Sequence, residues 1–291
     1  MSKQHPVVAV TGSSGAGTTT VKRAFEHIFL REGINAAVVE GDSFHRYERA
    51  EMKVKMTDEH LSHFGPEANR FDKLEELFRT YGETGTGEKR YYLHNGEEAA
   101  EHNGRLGTDK APGEFTPWED IEEGTDLLFY EGLHGAVVTE NVNLAQYCDL
   151  KIGVTPVINL EWIQKIQRDK ADRGYSTEAI RDTILRRMPD YINYITPQFS
   201  RTDINFQRIA TVDTSNPFIA RDIPTPDESL VVIRFREVEK FNTDFPFLLS
   251  MIPNSFMSRR NTIVVPGGKM GYAMELILAP IIQDMIAKKG S

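Results

Sequence analysis

Residues 7–20 have the sequence VVAVTGSSGAGTTT, in which a valine-rich apolar run leads through a glycine-rich loop into three threonines. Apolar residues then recur at helical spacing from Val21 to Phe29. In this order of strand, loop and helix, backbone N–H groups converge on an anion and the helix N-terminus adds partial positive charge. The sequence therefore predicts a loop that holds nucleotide phosphates. The alternatives are a glycine-rich turn without a ligand and a dinucleotide-binding fold.

The loop departs from the Walker A pattern at one position. Gly12 and Gly17 have the Walker A separation, but Thr18 stands where lysine is usual. Thr19 follows at the position whose hydroxyl is expected to ligate Mg²⁺. We therefore expect a cation from elsewhere in the chain to replace the missing lysine. The predicted phosphate-binding residues are Gly12, Ser13, Ser14, Gly15, Ala16, Gly17, Thr18, Thr19 and Thr20.

The rest of the chain predicts an α/β fold of the P-loop NTPase type, with a mixed, mainly parallel sheet flanked by helices. Six short apolar runs are predicted strands: Val7–Thr11, Ala36–Glu40, Leu127–Tyr130, Leu150–Val154, Leu230–Phe235 and Thr262–Val265. Five amphipathic stretches are predicted helices: Thr19–Arg31, Phe71–Tyr81, Asn159–Arg173, Thr177–Ile195 and Met270–Lys288. Residues 82–124 are rich in glycine, charge and asparagine and are predicted to form an irregular excursion that carries binding residues.

Length and composition narrow the class of protein. A chain of 291 residues fits one domain over residues 1–291. The net charge of −9 disfavours nucleic acid or an anionic membrane as a partner. A single cysteine, Cys148, cannot close an internal disulfide, which fits the cytoplasm. We expect no signal peptide and no segment that approaches a membrane span.

Two acidic residues follow predicted strands. Asp42 comes after the run 36–40, and Glu131 comes directly after the run 127–130. Ligands of open α/β folds bind at the carboxyl edge of the sheet. Asp42 is therefore predicted to accept a hydroxyl proton, and Glu131 to hold Mg²⁺ directly or through water. The alternatives are an Asp42 that only caps a turn and a Glu131 that is only solvated.

Two groups of basic residues accompany these acids. Cationic side chains follow Asp42 within a few residues, which suits a substrate that carries a hydroxyl and a phosphate. The helix over residues 159–174 presents Lys165, Arg168, Asp169 and Arg173 on one face, as expected for a lid that closes over a triphosphate. Lys165 is the candidate replacement for the missing loop lysine. A solvated charged face is the alternative.

The motifs together resemble bacterial phosphoribulokinase over nearly the whole chain. The matching segments are GSSGAGT from Gly12, EGDSFHR from Glu40, FYEGLHG from Phe129, NLEWIQKI from Asn159 and VDTSNPF from Val212. The resemblance implies a P-loop kinase fold and the use of Mg-ATP. It also implies phosphorylation of the 1-hydroxyl of ribulose 5-phosphate in carbon fixation. Threonine at position 18 is likewise a trait of the bacterial branch.

The resemblance also implies roles for individual residues. Asp42 matches the catalytic base, Asp169 a second essential acid, and Glu131 the acid near the metal. The implied sugar-phosphate contacts are His45, Arg49 and Arg173, with His94 at the position of a histidine that affects substrate. Lys165 and Arg168 match the pair assigned to the lid and the transferred phosphoryl group. For His94, an ordinary structural hydrogen bond is the alternative.

Regulation and assembly are implied in the same way. Bacterial members are typically activated by NADH and inhibited by AMP, and Arg31, Arg234 and Arg259 resemble the arginines involved. Surface ion pairs are the alternative for each. The family implies a homo-oligomer, often an octamer, and Ala16 replaces the cysteine through which plant enzymes respond to thioredoxin. A uridine-kinase-like or pantothenate-kinase-like enzyme and a nucleotide-binding regulatory protein are the alternatives for function.

Overall fold

A computed structural model describes residues 5–12, 18–59 and 61–289, and gives only the backbone of residues 18, 19, 172 and 173. The strands are β1 (Val7–Gly12), β2 (Ala36–Glu40), β3 (Glu88–Lys89), β4 (Glu119–Asp120), β5 (Leu127–Gly132), β6 (Leu150–Pro156), β7 (Ile204–Ala210), β8 (Ser229–Phe235), β9 (Phe256–Arg259) and β10 (Thr262–Pro266). The α-helices are α1 (Thr18–Glu32), α2 (Arg49–Asp58), α3 (Phe71–Thr84), α4 (Gly96–Leu106), α5 (Ile158–Arg173), α6 (Thr177–Asp190), α7 (Phe245–Met251) and α8 (Met270–Ala287).

One mixed sheet organises the fold. Among the described residues it has eight strands in the order β2-β5-β1-β6-β7-β8-β10-β9. The first five are mutually parallel, whereas β8 and β9 run antiparallel to their neighbours. The predicted mixed, mainly parallel α/β sheet is thus confirmed. All six predicted strands form, and β7 and β9 are the members of this sheet that the sequence pattern missed.

Helices cover both faces of the sheet, which explains why its central strands are continuously apolar. Along β1, Val8 and Val10 join the cluster beneath α1 and α8, while Val7 and Ala9 join the cluster beneath α3. This alternation follows from the two-residue period of a strand. The described helices do not cover the carboxyl ends of the parallel strands, and polar residues lie at this edge of the sheet.

Helix α8 corrects one expectation from the sequence. The segment Gly267–Ala287 is long and apolar enough to cross a membrane by length and composition, so the chain does contain a segment that approaches a span. Its buried residues, among them Met274, Ile277 and Ile281, belong to the core cluster on the α1 face of the sheet. Packing against α1 therefore accounts for the apolar character of this helix.

The excursion over residues 82–124 is more regular than predicted. It contains helix α4, which begins after Asn95. The side chain of Asn95 accepts hydrogen bonds from the backbone N–H groups of Glu97 and Glu98, both at 3.0 Å. This capping arrangement is favourable at a helix start. The strands β3 and β4 pair with each other outside the main sheet. The excursion thus forms a small layer beside the carboxyl end of β2.

Candidate active site

Strand register brings the predicted acidic and phosphate-binding positions to one edge of the sheet. Glu131 is in register with Val10 of β1 and Glu40 of β2, and Gly12 is in register with Val154 of β6. A Cβ atom on Gly12 would lie 2.7 Å from the carbonyl oxygen of Val154, so only glycine fits there. The start of the predicted phosphate loop therefore lies between the ends of β5 and β6.

Part of the predicted site is outside the description. Residues Ser13, Ser14, Gly15, Ala16 and Gly17 lie outside the described residues, as do the side chains of Thr18, Thr19 and Arg173. The backbone of residues 18–32 forms α1, so a helix does begin where the loop pattern requires one. The methyl group of Thr20 lies on the side of α1 that packs near Gly271 of α8.

Asp42 lies in the 3-10 turn Gly41–Phe44 directly after β2, and its side chain is 43% exposed. His45 Nε2 is 3.2 Å from one carboxylate oxygen, and His94 Nε2 is 3.8 Å from the other. Desolvation raises the pKa of Asp42, but the hydrogen bond and charge of His45, with weaker contributions from His94 and His63, outweigh it. The net pKa is below its usual range, so Asp42 is an ionised, accessible carboxylate at neutral pH.

Asn69 determines how His45 meets this carboxylate. The amide nitrogen of Asn69 donates to the carbonyl oxygens of His63, at 2.9 Å, and Gly65, at 2.6 Å, which turns its side-chain oxygen toward His45. His45 Nδ1 lies 2.9 Å from that oxygen and must donate to it. Nε2 then faces Asp42.

Arg49 and His94 complete the group around Asp42. Arg49 is the first residue of α2, and its Nη2 donates to the carbonyl oxygen of His94 at 2.9 Å. Its Nε donates to the hydroxyl of Tyr92 at 3.3 Å. The structure thus brings two of the predicted substrate contacts, His45 and His94, beside one carboxylate, and links the third, Arg49, to them through the backbone of His94. Their arrangement suits an anionic substrate whose hydroxyl reaches Asp42.

Arg90 holds the backbone of this turn, and sequence reasoning missed it. Its Nε donates to the carbonyl oxygen of Ser43 at 2.8 Å, and its Nη2 donates to that of His45 at 2.7 Å. The guanidinium stacks 3.7 Å from the ring centre of Phe115. Burial lowers the pKa of Arg90 to about 10, so it is cationic at neutral pH. Arginine directly before two tyrosines in the segment EKRYY was the available signal.

Glu131 lies at the end of β5 in an acidic environment. Burial and the nearby carboxylates of Glu40 and Asp42 raise the pKa of Glu131 to about 7, and Lys22 acts in the opposite direction. Lys22 Nζ is 3.4 Å from Glu40. Because the pKa of Glu131 is still raised, this one cation offsets only part of the surrounding negative charge. A nearby divalent cation would stabilise the ionised form of a carboxylate in this environment.

The donor set fits Mg²⁺. Within the described ranges, no group of three or more potential ligands forms a ready cage for a metal ion. Magnesium usually binds through one or two carboxylates together with substrate phosphates and water, so a single raised-pKa acid beside a phosphate loop matches its preference. Glu131, with the hydroxyl of Thr19 as predicted from sequence, would hold the ion.

Two glycines set the distance between the acids. A Cβ atom on Gly132 would lie 2.7 Å from the Cα of Gly41 and 2.7 Å from the hydroxyl oxygen of Tyr130. The backbones that carry Asp42 and Glu131 are therefore in direct contact. Any larger residue at Gly41 or Gly132 would separate the ends of β2 and β5.

Helix α5 gathers the charged residues predicted for the lid. Lys165 Nζ lies 2.5 Å from one carboxylate oxygen of Asp169, and Arg168 Nη2 lies 3.2 Å from the other. Asp169 is only 3% exposed. Burial lowers the pKa of Lys165, and the hydrogen bond to Asp169 opposes that change. Asp169 thus holds two cations that a phosphate group could attract.

The three arginines predicted to bind effectors fall into two places. Arg31, at the end of α1, pairs with one acid of α1 at 2.7 Å and one acid of α8 at 3.4 Å. Arg234 of β8 and Arg259 of β9 are both exposed and both in register with Thr262 of β10. The structure thus places Arg31 at the end of a helix, and Arg234 and Arg259 on the two strands that flank β10.

Comparisons with known proteins agree with this geometry. The family model of the phosphoribulokinase/uridine kinase family matches residues 7–215. The chain is 62% identical to phosphoribulokinase of Nitrobacter vulgaris and 60% identical to that of Rhizobium meliloti, in each case over 99% of both chains. Its fold matches the solved phosphoribulokinase from Rhodobacter spheroides with a TM-score of 0.89 and 55% identity over 100% of both chains. The chain therefore belongs to the phosphoribulokinase/uridine kinase family.

Proposed function

We propose that this protein is a phosphoribulokinase, which transfers the terminal phosphoryl group of ATP to the 1-hydroxyl of D-ribulose 5-phosphate and forms ribulose 1,5-bisphosphate. The observation that carries the proposal is the ionised Asp42, accessible at the end of β2, with His45 and His94 beside its carboxylate and Arg49 bonded to the backbone of His94. A neutral nucleoside would not need the cationic Arg49. Relatives about 60% identical over the whole chain carry the same name.

In this mechanism the protein contributes position and charge. Asp42 orients the acceptor hydroxyl and takes its proton, with His45 holding one carboxylate oxygen so that the other faces the substrate. Arg49 and the histidines attract the sugar phosphate. Glu131 and Thr19 would hold Mg²⁺, which would supply positive charge for the ATP phosphates. Transfer of a phosphoryl group requires little covalent participation from the protein.

The lid contributes cations at the transferred group. Lys165 and Arg168 both pair with Asp169, which holds the two side chains near each other. A small movement of the two side chains would direct their charges to the phosphoryl group. Lys165 then supplies the charge that Thr18 does not. Closure of α5 over the nucleotide would also exclude water, which strengthens these interactions.

A panel of acceptors tests the proposed function. ADP formation in a coupled assay is expected with ribulose 5-phosphate, and only weakly with ribose 5-phosphate, uridine or pantothenate. Arg49→Ala is expected to raise KM for ribulose 5-phosphate by about 10- to 100-fold, because an anion loses a charged hydrogen-bond donor, while KM for ATP changes little.

Arg79→Ala is the matched control for Arg49. Arg79 lies on α3, is 47% exposed and pairs with Glu83 at 3.8 Å. Both kinetic constants of this variant should equal those of the unmodified enzyme. Preference for uridine, or an Arg49 variant with an unchanged KM for the sugar phosphate, would contradict the proposal.

We further propose that the enzyme is a cytoplasmic homo-oligomer, up to an octamer, that NADH activates and AMP inhibits. The nearness of exposed Arg234 and Arg259 across Thr262 supports an anion site there. The edge strand β9, with Phe256 half-exposed, supports self-association. Initial velocities at subsaturating ATP, with and without each effector, should change for the native protein and not for Arg234→Ala. Light scattering should give a multiple of the chain mass.

A further inference from the structure

Gln198 is a fully buried amide that lies between the candidate active site and the lid. It is 0% exposed and belongs to the 3-10 segment Thr196–Ser200. Its Nε2 donates to the carbonyl oxygens of Leu133 and Tyr194, both at 2.8 Å. Its Oε1 accepts from the backbone N–H of Ala136 at 3.0 Å, so every polar group of the side chain has a partner.

The partners of Gln198 belong to the ends of the two strands that define the nucleotide site. The hydroxyl of Thr11 lies 3.0 Å from Gln198 Oε1 and 3.0 Å from the carbonyl oxygen of Leu133, and donates to one or the other. Thr11 is directly before Gly12, where the predicted phosphate loop begins. Leu133 and Ala136 follow Glu131 within five residues. One side chain therefore connects the exits of β1 and β5.

The same amide connects to the lid. Helices α5 and α6 pack on each other through Ile166, Ile180 and Ile184, and the chain returns from them to the sheet through residues 191–200. Tyr194 lies in this return, within a π-helical turn, a feature that is frequent at functional sites.

A second hydrogen bond joins the return segment to α5. The hydroxyl of Tyr191 donates to Glu161 Oε2 at 2.9 Å, and Glu161 is buried one turn before Lys165. The two bonds, at Tyr191 and at Tyr194, are three residues apart on the return segment, which thus forms one connection. It runs from the first turn of the lid helix to the strand ends that carry the phosphate loop and Glu131.

We propose that Gln198 is a positioning residue for phosphoryl transfer, which fixes the relative placement of the β1 end, the β5 end and the lid hairpin. The inference rests on the proposed function. An apolar side chain of the same size would fill the space but would leave the N–H of Ala136 and the carbonyl of Tyr194 without their partner. The strand ends and the return segment would then shift independently, and transfer is sensitive to displacements of about 1 Å.

Gln198→Leu tests the proposal, with Asn205→Ala as the matched control. Asn205 of β7 anchors the end of the same return segment through Phe199 at 2.9 Å and the following Thr202 at 2.8 Å, and neither of these hydrogen bonds reaches β1 or β5. Gln198→Leu is expected to lower kcat by about 10- to 100-fold with KM for the sugar phosphate within about 3-fold of normal. Asn205→Ala should lose comparable thermal stability and keep its kcat.

Two further variants keep the test decisive. Thr11→Val removes one hydroxyl and keeps the shape of the side chain. We expect it to lower kcat by about 3-fold or more. This variant tests the proposal if Gln198→Leu does not fold. Tyr191→Phe, combined with Gln198→Leu, should be less than additive in kcat, because both changes interrupt one connection. Normal kcat in Gln198→Leu, strict additivity, or an equal kcat loss in Asn205→Ala would overturn the proposal.

A binding measurement separates this inference from the proposed function. Calorimetric titration with Mg²⁺ and a non-hydrolysable ATP analogue needs no sugar phosphate. The Gln198→Leu variant should bind the analogue about 5-fold more weakly or worse, because the phosphate loop follows Thr11, whereas Asn205→Ala should bind normally. If the unmodified enzyme rejected ribulose 5-phosphate but this difference persisted, the proposed function alone would fail.

Discussion

Replacing Asp42 by asparagine is expected to lower kcat by about three orders of magnitude, a loss in the range measured for removal of a general base. The substitution keeps the shape of the side chain and an oxygen that can accept from His45 Nε2, which lies 3.2 Å away. It removes the charge that takes the hydroxyl proton. Because this role is exercised in the transition state, KM for ATP should change by less than about 3-fold.

The control for this variant is Asp109→Asn. Asp109 is an exposed aspartate of the loop after α4, and it should tolerate the loss of charge with no change in kcat. Thermal unfolding of Asp109→Asn should match that of the unmodified protein, whereas Asp42→Asn should unfold at a lower temperature at neutral pH, because a depressed pKa means that ionised Asp42 stabilises the folded state. An Asp42→Asn enzyme with more than about a tenth of the normal kcat would exclude Asp42 as the base.

The carboxylates at the strand ends were predictable because their signal is local. An apolar run followed at once by an acid, as at Leu127–Glu131, requires only that parallel strands end at a common edge. The grouping of Asp42, His45 and Arg49 is local in the same sense, since all three lie within nine residues of the end of β2. His94 was placed through the family resemblance and not through any local pattern.

The residues that hold the site in place were not predictable in this way. Asn69, Arg90 and Gln198 bond to backbone groups or side chains between four and 187 residues away, so their partners are a property of the folded chain. In the sequence they look like ordinary polar residues of loops. Polar residues that are both buried and fully hydrogen-bonded can be recognised only once the partners are known.

The missed strands have a similar explanation. β9 is a short edge strand of sequence FMSR with little buried surface, and β7 mixes buried Ile204 and Phe206 with polar Gln207 and Arg208. Neither has the continuous apolar run that marks a strand covered on both faces. The predicted helix Thr177–Ile195 ends instead at Asp190 and continues as a π-helical turn. Pro189, which lacks an N–H donor, interrupts the helical hydrogen bonds there.

Replacing Glu131 by glutamine is expected to change activity and stability in opposite directions. Loss of a carboxylate that holds Mg²⁺ should lower kcat by about 100-fold or more. In the absence of nucleotide, however, the substitution should make the native state more stable. The pKa of Glu131 rises from its ordinary value of 4.5 to about 7 through burial and the neighbouring Glu40 and Asp42, so its ionised form is unfavourable in the folded protein.

The pH dependence of that gain follows from linkage. Below pH 4.5 Glu131 is protonated in both folded and unfolded states, and the glutamine variant has no advantage. Between pH 4.5 and about 7 the folded state retains a proton that the unfolded state has lost, so the cost of ionisation grows with pH. Above pH 7 the cost is complete and the variant should be more stable by on the order of 2 to 3 kcal/mol.

Denaturant unfolding of the nucleotide-free protein at pH 5 and pH 8 measures this difference, with Glu101→Gln on the exposed surface of α4 as the control. The stability advantage of Glu131→Gln should be small at pH 5 and large at pH 8, while the control should show no trend. Added Mg-ATP should reverse the order at pH 8, because a bound cation stabilises the ionised carboxylate of the native enzyme and cannot do so for an amide. An advantage that did not depend on pH would mean that packing, and not the repulsion among the acids at the strand ends, sets the stability of this edge of the sheet.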